Sequence, residues 1–514
     1  MKRSLLVASF LGALCTALAF HPGTAKAKGA PPPATPTPSA APTPSAAPSA
    51  LPTPTPEPPD IAIPRLQEKL KSSPNDRPAM TDLAMQYLSI NRPDLAIQLT
   101  QKLLQMGEKT AQIYFFDGSA EEGLGRVNEA IADLENASNL DPTNVGVLGS
   151  LTQLYLRVNR PVDAERIANR SVTFNKTDAR SYINLGLVYA SEQKWDDSRK
   201  QFEQAYSLDN KDVTPLIQEA QTYASQKNWT SAQATIDRAL AADPKNVRAM
   251  LFKADTFSQA NDVAKSASAY DDAIAAAPAD DDKIQILVRK AVMYGQHNQR
   301  ADGENVFNQA IKDYPKSSSV HTAFGEFYLA QRQNDKAEQQ FRAALGVNKD
   351  DPQALMDLSQ VKLSQRRFGD AVPYLKHLAD VAPSAQVYGV LGQAYVALHR
   401  YSDSREACAR SFSIQRSPET LGCIAASDYS LKNFKEASQL FDILNRSIRQ
   451  FMESNPQLLY MSAVSYEHTN QNGKAVDAYK RVLRYIPKNN PQYKKIQQSI
   501  ASLSRPAGNG KKKG

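Results

Sequence analysis

The stretch Ala179 to Asp212, ARSYINLGLVYASEQKWDDSRKQFEQAYSLDNKD, decides the fold. Tyr182, Leu185 and Tyr189 fall on one stripe of a first helix, and Phe202, Ala205 and Tyr206 on one stripe of a second. Gly186 and Ser198 are small where the two backbones have to approach. A side chain much larger than alanine there costs roughly 1–3 kcal/mol of overpacking. A lone hairpin of this size has too little core, so copies on either side have to complete the burial.

The same pattern of residue sizes starts again at 77, 111, 145, 179, 213, 247, 284, 318, 352, 385, 419 and 456. Position 8 is small in all twelve units, from Ala84 through Gly118, Gly325 and Gly392 to Ala463, and so is position 20, from Ala96 to Ala475. Position 11 is Tyr or Phe in ten units and fails at Glu121 and Lys362. Pro142, Pro244, Pro278, Pro315, Pro383 and Pro487 stand at position 32, where proline ends the second helix and preforms the turn into the next unit. In length, small and aromatic positions and closing proline, the unit resembles the tetratricopeptide repeat family, over residues 77–489. The resemblance implies an all-α chain: a right-handed superhelical solenoid of about twelve helix-turn-helix units, its inner face lined by the first helix of each.

Two places depart from the register. Asp281, Asp282 and Lys283 are inserted after Asp280; calcium binding is conceivable there, and the plainer expectation is that the acids cap the next helix N-terminus. The unit from 419 is expected to carry an extended second helix through Leu444, Ile448, Phe451 and Met452, before Asn455 and Pro456 restart the pattern. The array is capped by an expected helix at 61–76, through Leu66 and Leu70, and by one at 490–504, whose stripe is Ile496, Ile500 and Leu503.

The ends read as address and spacer. Lys2 and Arg3 precede an apolar run from Leu5 to Phe20, followed by small residues, the pattern of a signal peptide over 1–27 with cleavage after Ala19 or Ala27. Kept uncleaved, it would be a membrane anchor, although the run falls short of the roughly 20 residues that span a bilayer. Residues 28–60 hold 13 of the 32 prolines among Ala, Ser and Thr, a composition for a semi-rigid spacer. Residues 505–514 end in Lys511, Lys512 and Lys513 and read as a basic disordered tail. The net charge of +8 is concentrated in these ends. The nearly balanced body lacks the dense basic stripe of a phosphate-binding groove, so nucleic acid is not an expected partner.

No unit escapes the repeat pattern to make room for a catalytic domain, and no enzyme or cofactor is expected. His21, His297, His321, His377, His399 and His468 are dispersed without metal-ligand spacing. Gly123, Leu124 and Gly125 are a fragment of a glycine loop with no third glycine, at a turn between two helices. Cys408 and Cys423 lie on the second helix of one unit and the first of the next, which pack together in the resembled family. Export would make a disulfide possible; the alternative is two small buried residues.

In that family, positions 2, 5, 9 and 12 of the first helix tend to face the groove. The candidate partner-binding residues are therefore Phe115, Ile217, Leu251 and Met356 at position 5, with Gln153, Gln221, Gln360 and Gln393 at position 9. The clamp that chaperone-binding members close on a C-terminal carboxylate is not reproduced: Asn184 occupies a matching position, but Gly149 and Gln153 do not supply the rest. The expectation is a groove for an extended peptide, glutamines meeting its backbone and apolar residues forming pockets; the plainer reading takes the glutamines as solvated helix formers. The function expected is a non-enzymatic scaffold, exported to the periplasm or beyond, that binds proteins or peptides. The alternative is a subunit of a cell-envelope assembly or export machine.

Overall fold

The computed structural model describes residues 57–504. The expected signal segment 1–27, the greater part of the linker 28–60 and the tail 505–514 lie outside the described residues. Within them are 27 helices and no strand, in two compact units, 57–286 and 287–504, whose boundary falls inside the helix Asp280–Gln296.

In the unit 57–286, the helix Pro59–Ser72 leads into hairpins whose first helices are Arg77–Ser89, Ala111–Gly123, Val145–Arg157, Ala179–Ser191, Thr214–Ser225 and Val247–Gln259. In the unit 287–504 the corresponding first helices include Ser318–Ala330, Pro352–Ser364, Ala385–Ala397, Pro418–Ser430 and Pro456–His468, and Pro491–Leu503 closes the unit. The two helices of a hairpin pack on each other, and a second helix packs on the first helix of the hairpin after it. The lead helix buries Ala62 and Leu66 and the closing helix buries Ile496. The lead helix ends at Ser72, four residues before the expected 76; Pro74 cannot donate to a continuing ladder, and Asp76 instead caps the next helix by accepting from Ala79 N.

One turn geometry recurs in every hairpin. The residue at position 15 is left-handed in all twelve, with φ from 55° at Asn91 to 76° at Gly125, and eleven of the twelve are not glycine. This conformation lets the amide of position 16 reach back to the carbonyl of position 11: Arg92 N to Tyr87 O, Lys194 N to Tyr189 O and Arg367 N to Lys362 O, each at 2.8 Å. Orphan carbonyls at the end of the first helix are thereby satisfied.

The left-handed residue also corrects the register of the eleventh hairpin. It is Lys432, and the N-cap is Ser417, whose Oγ accepts from Thr420 N at 3.2 Å. The unit therefore starts at 418 and not at 419. Its second helix is not extended either: Phe434–Ser447 stops, Ile448 leaves helical geometry, and the insertion forms a separate short helix, Arg449–Glu453. At the other insertion Asp280, Asp281 and Asp282 lie inside the first turn of Asp280–Gln296, where negative charge suits the helix N-terminus.

Small residues at position 8 receive position 24 of the same hairpin. A Cβ on Gly186 would lie 2.5 Å from the Phe202 ring, Gly325 holds Phe341 in the same way, and Gly392 holds the sulfur of Cys408. Phe202, Phe341 and Cys408 are all buried.

Candidate partner-binding face

The predicted face residues divide between the two units: Phe115, Gln153, Ile217, Gln221 and Leu251 in one, Met356, Gln360 and Gln393 in the other. Phe115, Leu251 and Met356 are half-buried, so each leaves part of an apolar side chain in solvent. Ile217 is a correction. It is 3% exposed in a cluster with Val213, Leu216, Ala220 and Ile236, and it is core. Position 5 sits at the margin between the exposed and packed stripes of a helix, and here Tyr206 and Phe252 pack against the cluster that contains it. Gln153 and Gln360 are exposed, and Gln221 and Gln393 half-buried. Among the described residues none of these four carboxamides hydrogen-bonds within the chain, so each keeps donors and an acceptor for another molecule. In the hairpins from 284 to 456, positions 2, 5, 9 and 12 carry no Lys or Arg, while Glu326, Glu419 and Glu467 are acidic. Desolvation first pushes the carboxyls of Glu326 and Asp357 upward, and the Asp357 charge adds to the shift of Glu326.

Position 11 carries a second pattern. Because the turn folds position 16 back over it, a cation there covers the position 11 ring: Arg160 on Tyr155 and Arg400 on Tyr395, each at 4.6 Å, and Lys194 on Tyr189 at 5.3 Å. Where the ring is replaced by a charge, the charge is buried and paired. Glu121, 5% exposed, accepts from Arg126 at 3.1 Å. Lys362, 0% exposed, donates to Glu338. Asp428, also 0% exposed, accepts from Arg405 at 2.7 Å and from Asn433 at 3.2 Å. The third of these was missed in the sequence because a start at 419 places Tyr429 at position 11. The signal that finds it is Ser417 as N-cap.

Cys408 and Cys423 are brought together, with S–S 2.02 Å. They join the helix Tyr401–Ile414 to Pro418–Ser430, beside Ser404 and Ser427, whose hydroxyls are 3.0 Å apart. In the unit 57–286, buried Asp117 accepts from Thr100 and faces Asp133; burial first, then the Asp117 carboxylate, pushes Asp133 up to about 7. No group of three or more His, Cys, Asp or Glu among the described residues is arranged to hold a metal ion, and no described helix is long and apolar enough to cross a membrane.

Helical hairpins closed by a left-handed turn, with small residues packed against large ones, define a helical-repeat protein. The chain belongs to the tetratricopeptide repeat family: one tetratricopeptide repeat model matches residues 217–281, 289–354, 322–376 and 356–415, and a second matches 179–212 and 456–489. Among curated proteins it is similar to a TPR repeat-containing thioredoxin of Arabidopsis thaliana, 32% identical over 85 residues, which is 16% of this chain and 22% of that protein. It is also similar to a FAM10 family protein of the same plant, 29% identical over 94 residues, 18% of this chain and 21% of the relative. The chain thus spans about a fifth of the length of either relative. Among solved structures it is similar to yeast Tom70, at 17% identity and TM-score 0.34, covering 73% of this chain and 93% of that one. A tetratricopeptide repeat protein from Parabacteroides merdae is similar at 12% identity and TM-score 0.35, covering 59% and 99%.

Proposed function

We propose that the chain is a non-enzymatic scaffold that binds a protein, through an extended peptide segment, on the first-helix face of its repeats. The observation that carries this reading is made in each unit by itself: carboxamides unpaired among the described residues and half-buried apolar side chains stand at positions 9 and 5 of the first helices, Gln153 and Gln221 with Phe115 and Leu251 in 57–286, and Gln360 and Gln393 with Met356 in 287–504. Carboxamides offer both a donor and an acceptor to a peptide backbone, and the apolar neighbours offer burial to its side chains. The absence of Lys and Arg at positions 2, 5, 9 and 12 of the hairpins from 284 to 456 favours a segment that is neutral or basic there. The site of action proposed is outside the cytoplasm, on the strength of the Met1 to Ala27 pattern alone.

Affinity purification with the full chain, followed by the same capture with Gln221→Ala and Gln360→Ala combined, tests the proposal. Partners retained by the native chain and lost by the variant support it. Capture that the variant leaves unchanged overturns the role of this face. Recovery of envelope export components would assign the scaffold to such a machine, and recovery of assorted soluble proteins to a general scaffold.

A further inference from the structure

The short helix Arg449–Glu453 is laid against the repeat surface as an occupant. At position 5 of the hairpin from 418 stands Gly422, and a Cβ built there would lie 3.4 Å from Cε1 of Phe451 and 3.1 Å from Cδ1 of Leu458. The Phe451 ring therefore lies over the glycine: a methyl there would just touch the ring and crowd Leu458, and a side chain that reached further would take the ring's place. The insertion is fixed in place from behind: Asn455 Nδ2 donates to Phe451 O at 2.7 Å, and Glu453 accepts from Arg481 Nε at 2.8 Å and from the Tyr485 hydroxyl at 2.9 Å.

One hairpin earlier, position 5 is again glycine, Gly389, and it is left open. Only Ser411 Oγ, at 3.7 Å, comes within 4 Å of a Cβ built there, and Gly389 is half-buried where Gly422 is buried. On the same face, position 5 of the hairpin before carries half-buried Met356, and one turn along from Gly389 is Gln393. A thioether is a favourable neighbour for an aromatic edge. Among the described residues the carboxamides of Gln360 and Gln393 have no hydrogen-bond partner.

We propose that Gly389 is a subsite for an aromatic side chain of the bound peptide, taken up in the way Gly422 takes Phe451. Met356 flanks the ring, and Gln360 and Gln393 meet the peptide backbone. The occupant is a short segment carrying one aromatic residue and no net negative charge, since positions 2, 5, 9 and 12 of the hairpins from 284 to 456 carry acids and no Lys or Arg. This assignment rests on the peptide-binding reading above and specifies its side-chain preference.

The probe is a synthetic peptide with the sequence of residues 447–454, SIRQFMES, which carries the occupant's chemistry and is net neutral. Its binding to the full chain is followed by fluorescence anisotropy. The native chain binds it, and replacing its phenylalanine by alanine weakens binding at least about tenfold, as loss of a buried ring requires. Gly389→Leu fills the subsite and produces a loss of the same size. Gly389→Ala, whose Cβ meets nothing closer than 3.7 Å, keeps the native melting temperature and gives a smaller loss. Equal affinity of native and Gly389→Leu chains, indifference to the phenylalanine, or no binding by the native chain overturns the subsite. Partners captured in a glutamine-dependent way by a Gly389→Leu chain would leave the scaffold reading standing while the subsite fell.

Discussion

Arg405 donates from Nε to Oδ1 of buried Asp428 over 2.7 Å, linking position 21 of one hairpin to position 11 of the next. Glu338 and Lys362 occupy the same two positions with the charges exchanged. A buried ion that loses its partner keeps its desolvation cost, whereas a pair replaced by a well-packed apolar group can be neutral. Glu338→Ala, which strands Lys362, is expected to destabilise the unit by about 3 kcal/mol. Lys362→Tyr restores the ring common at this position and should cost little. Thermal unfolding of the two variants checks the order, and equal losses would contradict it.

Eleven non-glycine residues hold the left-handed turn. An L-residue with a side chain pays roughly 1–2 kcal/mol for that conformation, part of which glycine returns through its freer unfolded chain. Lys227→Gly, Arg332→Gly and Lys432→Gly should each raise stability by about 0.5 kcal/mol. Gly125→Ala should lower it. Chemical denaturation midpoints at constant slope would show both signs.

Gly325 packs against the ring of Phe341. Gly325→Ala is expected to cost about 1–3 kcal/mol by overpacking, and Phe341→Leu in the same chain should recover part of the loss. A double-mutant cycle reads the coupling; strictly additive losses would mean that the two side chains do not meet.

The bridge between Cys408 and Cys423 closes a separation of 15 residues. Oxidised chain should present no reactive thiol from this pair until reductant is added. Reduction should cost up to about 3 kcal/mol, seen as a lower melting temperature. Two titratable thiols in untreated protein would rule the bridge out in that preparation.

The pH dependence should carry the signature of Asp133. Its carboxyl is raised to about 7, burial first and the Asp117 charge next, whereas an unfolded aspartate titrates near about 3.9. Between those values the native chain holds a proton that the unfolded chain has released, so this group makes stability fall as pH rises from about 4 to 7 and level beyond. Asp133→Asn should remove that fall and gain most over the native chain at pH 8. A variant with the native chain's pH profile would contradict the assignment.

The hairpin succession was legible because each turn and each contact is local. Gly186 opposite Phe202, the N-caps and the position 32 prolines all lie within one repeat of sequence. What was misread depended on neighbours in space. The start at 419 followed the preference for an aromatic at position 11, and it hid Asp428, whose burial is made tolerable by Arg405 in the hairpin before. The extended helix through Ile448 rested on apolar spacing, which continues across the break because Met452 is buried and Phe451 half-buried against other elements. Ile217 was placed on the open face by its position number, and its membership of a cluster that draws on the neighbouring helices makes it core. Gln153 and Gln360 are exposed while Gln221 and Gln393 are half-buried, so the position number alone does not set how far a side chain reaches solvent.

The turn that returns position 16 to position 11 has a consequence for how the chain is made. Each hairpin closes within six residues, and its main packing partners are the next elements along the chain. Contacts so close in sequence form quickly, and a growing chain can complete one hairpin before the next is synthesised. Stability in such an array is nearly a sum of units and nearest-neighbour interfaces, so a polypeptide interrupted after a finished hairpin retains ordered structure behind the break.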